Sequence, residues 1–358
     1  MRAAIQTGLR QIEVRDVPEP AIAEGSALVQ VRAAGICGSD LHPYRERAES
    51  QTLPDGHEVA GEVSYLPPDY RGPIRVGDLV AVDTICLGRA CGACAICRAG
   101  QPFHCPRRHD LPSPGGGFAE VIRRRAAGLF RLPDEVTAEQ GALVEPLAVG
   151  VHAIRWSRMQ PGATVVIIGA GTIGLTTLLA ARALGAGAVH LLARHPQQAA
   201  LAEDLGATTV LRGDGTEAIE QVRALTGGMG ADLVVETVGG HGDTVNLAWG
   251  LARPQGTVAV LGLFSERVPI DLMRPVMREV WATFPICYGV IDGRHDFDLA
   301  IQLIAEGRAP VERLVTHRFS LEAAAEAFRV AADKSTGSVK VQLAIQSHLD
   351  FSGPNQRA

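Results

Sequence analysis

Two hydrophobic rhythms divide this chain. Through the first 140 residues or so, apolar positions come in short runs broken by Pro and Gly. Ala27–Ala34 alternates in part and ends in Gly35-Ile-Cys-Gly38, a turn that presents Cys37 and Ser39 at a sheet edge. Val59–Val63 and Asp78–Val82 follow, separated by Pro67-Pro68 and Arg71-Gly-Pro73. Closely spaced short strands predict a partly antiparallel barrel. Cys86–Pro114 carries no regular period and reads as an irregular lobe. After Pro133 the rhythm changes. Val136–Ser157 has helical spacing, and strands then alternate with helices: Thr164–Ile168, a helix to Leu184, Val189–Ala193, a helix to Leu205, Leu233–Val238, a helix near Asn246–Leu251, and Thr257–Leu261. That alternation predicts an α/β, doubly wound parallel sheet. Val315–Leu343 reads strand, helix, strand and returns to the first domain. The expected domains are therefore 1–148 with 289–358, and 149–288. The polar tail Ser347–Ala358 is expected to be disordered.

Bulk properties narrow the classes. A chain of 358 residues exceeds one ordinary core. With 46% apolar and 20% charged residues and a net charge of −5, it has no basic field for nucleic acid. The most apolar stretch, Ala163–Ala193, has Arg182 as its one Asp, Glu, Lys or Arg, but five glycines split it into a strand, a turn and a helix. A buried β-α-β unit accounts for it better than a membrane span. The N-terminus lacks an apolar leader, which predicts a cytoplasmic protein. In that setting clustered cysteines read as metal ligands rather than disulfides.

Two motifs carry chemistry. Gly169, Gly171 and Gly174 form G-x-G-x-x-G after the apolar run Val165–Ile168, with Thr172 and Ile173 opening the next helix. This is the setting in which backbone N–H groups cradle a dinucleotide pyrophosphate. At the end of the following strand stand Ala193, Arg194 and His195, where NAD-binding chains place an acid for the ribose hydroxyls. An arginine there suits a 2′-phosphate, so NADP is expected over NAD. The second motif is Cys91, Cys94, Cys97 and Cys105, a C-x2-C-x2-C-x7-C set that predicts a closed tetrahedral metal site.

At Gly35-Ile-Cys-Gly-Ser-Asp-Leu-His42 and Gly56-His-Glu-Val-Ala-Gly61 the chain resembles the zinc-dependent medium-chain alcohol dehydrogenases. The likeness continues through the four cysteines, Gly117-Phe-Ala-Glu120, Glu145-Pro-Leu-Ala-Val-Gly-Val-His152, the glycine turn and Val315-Thr-His-Arg-Phe319. The segments at Glu145 and Thr316 look most like the sorbitol and threonine dehydrogenase branch. The resemblance implies a GroES-like catalytic domain and a Rossmann domain. It makes Cys37 and His57 ligands of a catalytic zinc, with the third ligand from Glu58 or Glu145. The four-cysteine lobe (86–114) would hold a structural zinc, giving two zinc ions per chain. Ser39 would take the alcohol proton and His42 pass it to solvent. Val238, Leu261 and Leu263 would line the nicotinamide at the carboxyl edge of the sheet.

The resemblance implies hydride transfer between a secondary alcohol or polyol, or its ketone, and a nicotinamide cofactor. Sugar or amino-alcohol oxidation within the family is the alternative. A non-catalytic zinc-binding structural protein is the alternative of another class, and it leaves the glycine turn unexplained. Tyr44 and Tyr288 are the substrate-contact candidates. In the polyol branch an Arg-Tyr pair recognises substrate; here Cys287 precedes Tyr288, which admits a smaller alcohol or a less polar ketone. Cys86 and Cys287 read as buried free thiols, and His104, His109, His190 and His348 as surface or packing residues. A homodimer or homotetramer is expected, joined at the sheet edge after Thr257.

Overall fold

The computed structural model describes residues 1–108, 115–213, 215–240 and 242–346. His109, His348 and the tail from Ser347, for which the sequence raises expectations, and the last six residues of the lobe lie outside them. In the first unit, β1 (Arg2–Gly8) and β2 (Gln11–Asp16) form an antiparallel hairpin that the hydrophobic pattern does not announce. The long strand β3 (Ser26–Ile36) is the spine of a seven-stranded sheet. β4 (Glu58–Tyr65), β5 (Leu79–Asp83) and β7 (Leu129–Arg131) extend from it in antiparallel order. β6 (Val121–Arg125) pairs with its first half, and the late strand β17 (Lys340–Ala344) with its last residues. Two strands sharing β3 in this way let the sheet curl around Val29, Val31, Val59, Val80, Val82 and Ile122. Gly61 permits the curl, because a Cβ there would lie 2.1 Å from the Gln30 carbonyl.

Three helices matter to this unit's site. α1 (Gly38–Glu46) follows β3 directly, and α3 (Ala138–Ala142) starts from a capping box between Thr137 and Gln140. α2 (Ala95–Arg98) is one turn within the cysteine lobe. The C-terminal return consists of β16 (Val315–Ser320), α11 (Ala324–Ala332) and β17, the strand–helix–strand expected.

From α4 (Val144–Trp156) the chain enters a second unit, Pro146–Leu314. Its strands are β8 (Thr164–Ile168), β9 (Ala188–Leu192), β10 (Thr209–Leu211), β11 (Ala231–Glu236), β12 (Ala252–Val260) and β13 (Trp281–Thr283). They form one parallel sheet in the order β10-β9-β8-β11-β12-β13. Helices α5 (Thr172–Ala183), α6 (Pro196–Asp204), α7 (Gly215–Leu225) and α8 (Thr244–Leu251) make the crossovers. Val165 to Ile168 are all buried, which explains a continuous apolar run rather than an alternating one. The strand order reverses between β8 and β11, and the crevice at the carboxyl ends of those strands is where such sheets bind ligands.

Two boundaries differ from the sequence reading. The second unit extends to Leu314 and not to 288. Its last part is α9 (Met273–Met277), the hairpin β14 (Val290–Ile291) and β15 (Arg294–His295), and α10 (Asp296–Ala305). Asp296 binds this segment in place: its buried carboxylate accepts from His152 Nδ1 at 2.7 Å, from Arg155 at 2.5 Å and from the Gly289 N–H at 2.9 Å. The sheet edge is β13, one strand beyond the edge expected after Thr257.

Candidate active site and metal centres

Backbone geometry assembles the first cluster. β3 ends at Ile36, and Cys37 is the N-cap of α1. The Cys37 N–H donates to Asp40 Oδ2 at 2.8 Å, which fixes the turn. His57 immediately precedes β4, its carbonyl held by Thr84 Oγ1 at 3.0 Å, and Glu58 opens that strand. Gly35 opposes Glu58 in the ladder, and a Cβ there would lie 1.9 Å from Glu58 Oε2. Glycine at 35 is therefore what gives the carboxylate its place. One ligand atom each from Cys37, His57 and Glu58 lie within 4.8 Å of one another.

The electrostatics of this cluster favour a cation. Burial pushes the His57 imidazole down, yet the Asp40 carboxylate, 3.5 Å from Nδ1, and the Cys37 sulfur outweigh it and hold the group well above its ordinary range. Glu145, outside the 4.8 Å group, is buried, and that burial, with Glu58 nearby, pushes its carboxyl up to about 8. The sequence reading missed one participant. Lys340, on β17, is buried and donates to both Glu58 oxygens at 2.6 and 2.7 Å and to the Ile36 carbonyl at 3.0 Å. Burial lowers its pKa, but Glu58 and Cys37 reverse that and leave it raised. On α1, Ser39 and His42 are three residues apart, share one helix face and are exposed.

The second cluster is the cysteine lobe. Cys91, Cys94, Cys97 and Cys105 bring their sulfurs within 4.8 Å of one another, with Cys94–Cys97 at 3.4 Å, Cys91–Cys97 at 3.9 Å and Cys94–Cys105 at 4.0 Å. The Ala93 N–H draws the Cys91 thiol down to about 6, whereas burial and neighbouring sulfurs push Cys97 up to about 12. Arg107 donates to Cys91 Sγ at 3.1 Å.

In the second unit, Gly169 has φ 104°, the left-handed region that glycine tolerates. A Cβ at Gly174 would lie 2.0 Å from the Gly169 carbonyl, so α5 can approach β8 only without a side chain there. A Cβ at Gly171 would meet nothing within 4 Å, leaving the N-terminus of α5 open for a ligand. Arg194 is exposed and His195 is the N-cap of α6. Val238 and Leu263 are exposed beyond β11 and β12.

Other expectations are corrected by packing. Tyr44 is 5% exposed and packs on Phe328, with ring centroids 5.4 Å apart. Tyr288 is 2% exposed and packs on Phe297 at 4.7 Å. Both rings are core residues with no face left for substrate. Cys86 is buried as expected, but Cys287 is half-buried, at a left-handed φ of 52°.

Comparison with known proteins decides the family. Residues 23–134 match the alcohol dehydrogenase GroES-like domain and residues 172–306 the zinc-binding dehydrogenase domain. A sorbitol dehydrogenase of Bacillus subtilis is 31% identical over 351 residues, 96% of this chain and 97% of that protein. An L-threonine 3-dehydrogenase of Bacillus licheniformis is 30% identical over 332 residues, covering 90% of this chain and 93% of its own length. The chain belongs to the zinc-dependent medium-chain alcohol dehydrogenases. The structure of a zinc-binding dehydrogenase from Sinorhizobium meliloti bound to NADP aligns with a TM-score of 0.81 and 31% identity, covering 96% of this chain and 98% of that one.

As a member of this family, the protein is an oxidoreductase acting between an alcohol and its carbonyl compound with a nicotinamide cofactor. The donor sets fit zinc. Thiolates 2.3 Å from one zinc in a tetrahedron stand about 3.8 Å apart, and the lobe sulfurs straddle that separation. No helix among the described residues is long and apolar enough to cross a membrane.

Proposed function

We propose that this dehydrogenase binds two zinc ions and oxidises a secondary alcohol of the polyol class with NADP. The observation that carries the reading is the convergence of Cys37, His57 and Glu58 beside a helix bearing exposed Ser39 and His42. These three residues would hold a catalytic zinc, with Glu145 as the second carboxylate able to enter its shell. Three protein ligands leave a position open for substrate; the closed four-cysteine set would hold a structural ion. When bound, the zinc would supply Lewis acidity for the substrate oxygen and the nicotinamide a two-electron hydride acceptor. Ser39 accepts the hydroxyl proton as the carbon–hydrogen bond is lost, and His42, exposed on the same helix face, delivers it to water. Lys340, bonded to both Glu58 oxygens, holds that side chain in place.

Gly169, Gly171, Thr172, Ile173 and Gly174 would take the pyrophosphate, and Val238, Leu261 and Leu263 the nicotinamide. Arg194 and His195 would meet a 2′-phosphate, since Ala193 offers no acid to repel it. The NADP-bound S. meliloti relative supports that preference. The sorbitol dehydrogenase relative supports a polyol; the threonine dehydrogenase relative keeps an amino alcohol as the second choice. Trp281 on β13, with Met277 and Phe284 beside it, exposes 70%, 74% and 68% of its surface respectively. An apolar edge strand of this kind supports assembly as a homodimer or homotetramer.

Metal analysis joined to assay tests the reading. Wild-type protein should carry two zinc ions per chain, and Cys37→Ser one, with turnover abolished and cofactor binding retained. Polyols, threonine and simple secondary alcohols should be screened with both cofactors at the reduced-nicotinamide absorbance. Full activity at one zinc per chain would overturn the two-site assignment.

A further inference from the structure

Glu236, the last residue of β11, stands out among the buried acids of the second unit. It is fully buried, and its side chain has no cationic partner among the described residues. Oε1 accepts from the N–H groups of Val238 and Gly239 at 2.8 and 2.9 Å. Oε2 is buried without a hydrogen-bond partner. The main-chain carbonyl of the same residue accepts from Leu261 and Gly262, at 2.8 and 3.2 Å. One residue thus grips two loops, those following β11 and β12. The loops touch backbone to backbone: the Gly240 N–H donates to the Leu263 carbonyl at 2.8 Å, and a Cβ on Gly262 would lie 2.3 Å from both Glu236 Oε2 and the Gly239 nitrogen. The first loop also abuts the glycine turn, because a Cβ on Gly169 would meet Val238 Cγ2 at 2.8 Å and Thr237 Oγ1 at 2.9 Å.

A carboxylate spent on two neighbouring N–H groups, with its other oxygen unpaired in the interior, is costly for stability alone. An apolar side chain at a strand end would pack there without that penalty. What the carboxylate supplies is shape. It forces Val238 and Gly239 to turn their N–H groups inward, which leaves the Val238 side chain 53% exposed, and the paired loop leaves Leu263 63% exposed. We infer that Glu236 is a positioning residue for the nicotinamide half of the cofactor, acting through the two loops that carry Val238 and Leu263. The inference rests on the proposed nucleotide reading of this sheet edge. The adenosine diphosphate half lies instead with the glycine turn, which β8 and α5 hold through their own contacts.

The test separates the two halves by using ADP-ribose that carries the 2′-phosphate, and so lacks only nicotinamide, beside NADPH. Both are titrated into zinc-loaded enzyme by calorimetry, and the dinucleotide also by fluorescence. Glu236→Leu should weaken the dinucleotide tenfold or more and ADP-ribose less than twofold. Glu236→Gln, whose carbonyl can still accept both N–H groups, should restore the dinucleotide to within threefold of wild type. If the leucine variant does not fold, Gly262→Ala carries the test, since its Cβ must push the loops apart; it should give the same selective loss. Equal losses for both ligands, or none, would overturn the role of Glu236. Wild-type enzyme that bound neither ligand would instead refute the nucleotide reading itself.

Discussion

Replacing Lys340 by methionine would leave the Glu58 carboxylate in the interior with no ammonium beside it. The side chains of the pair are 1% and 0% exposed, and both Glu58 oxygens take a hydrogen bond from Nζ. Breaking one partner out of a buried ion pair costs about 3–5 kcal/mol, because the remaining charge keeps its desolvation penalty. At roughly 2–4 °C per kcal/mol for a domain of this size, metal-free Lys340→Met should melt ~6–20 °C lower than wild type. Zinc changes the expectation. A divalent ion bonded to Glu58 supplies the missing positive charge, so the zinc-loaded variant should lose less than half as much. The double variant Glu58→Gln/Lys340→Met removes both charges and should recover most of the stability while losing activity. Urea unfolding of the three proteins, stripped and loaded, measures each quantity. A loss below 1 kcal/mol in the stripped single variant would show that the pair does not behave as buried. Identical losses with and without zinc would show that Glu58 does not reach the metal.

The remaining predictions concern the relay, the cofactor, the lobe and pH. Ser39→Ala should slow turnover by ~10²–10⁴ and His42→Ala by less, since water can serve the outlet; unchanged pH–rate curves in both would exclude the relay. Arg194→Ala should cut kcat/KM for NADP by about tenfold or more and spare NAD, while Ala193→Asp shifts preference toward NAD; a wild-type enzyme faster with NAD refutes the assignment. Cys97→Ser should leave one zinc per chain and lower the thermal midpoint before activity is lost; retention of both zinc ions would rule out the closed site. His295 is held down to about 4, chiefly by burial, against an ordinary 6.5. Between those values the unfolded chain binds a proton that the folded chain refuses, so stability falls as pH drops from about 6.5 to 4, by up to roughly 3 kcal/mol. His295→Asn keeps an acceptor for the Phe297 N–H and should flatten that slope; an unchanged slope in urea midpoints would place the titration elsewhere.

The second unit is legible in the residues because its signals are local. Val165–Ile168 is apolar without alternation, Gly169–Gly174 follows at once, and each later strand is separated from the next by a helix with its own turn residues. The first unit is harder. The hairpin of β1 and β2 carries Arg2, Gln6, Gln11 and Arg15 among its apolar positions, so no clean period marks it. Its strands also pair across long separations, as β3 with β17 does, and such pairing leaves no trace in a window of residues. The end of the second unit is hidden in the sequence for a related reason. Asp296 meets His152 across 144 positions, and nothing near Asp296 advertises that partner.

The candidate metal ligands show where sequence reading reaches and where it stops. Four cysteines at short spacing can be recognised because a closed zinc site needs those atoms and the chain supplies them together. Cys37, His57 and Glu58 can be recognised only through their family setting, since the ligand atoms meet by the pairing of β3 with β4. The charge that balances them arrives from 282 positions away, where Lys340 sits in an unremarkable run, Val-Lys-Val. Yet there was a usable signal. The chain has two lysines against 32 arginines, so a lysine retained inside an apolar strand already asks for a buried acid. Tyr44 and Tyr288 fail by the converse logic: an aromatic hydroxyl looks like a substrate contact in one dimension, but the rings are buried against Phe328 and Phe297, partners that the local sequence of Tyr44 does not show. Buried charge outside any motif is thus the sequence feature that would most directly have exposed the Glu58–Lys340 pair, and the same argument singles out Glu236, an acid closing the apolar strand Leu233-Val-Val-Glu236.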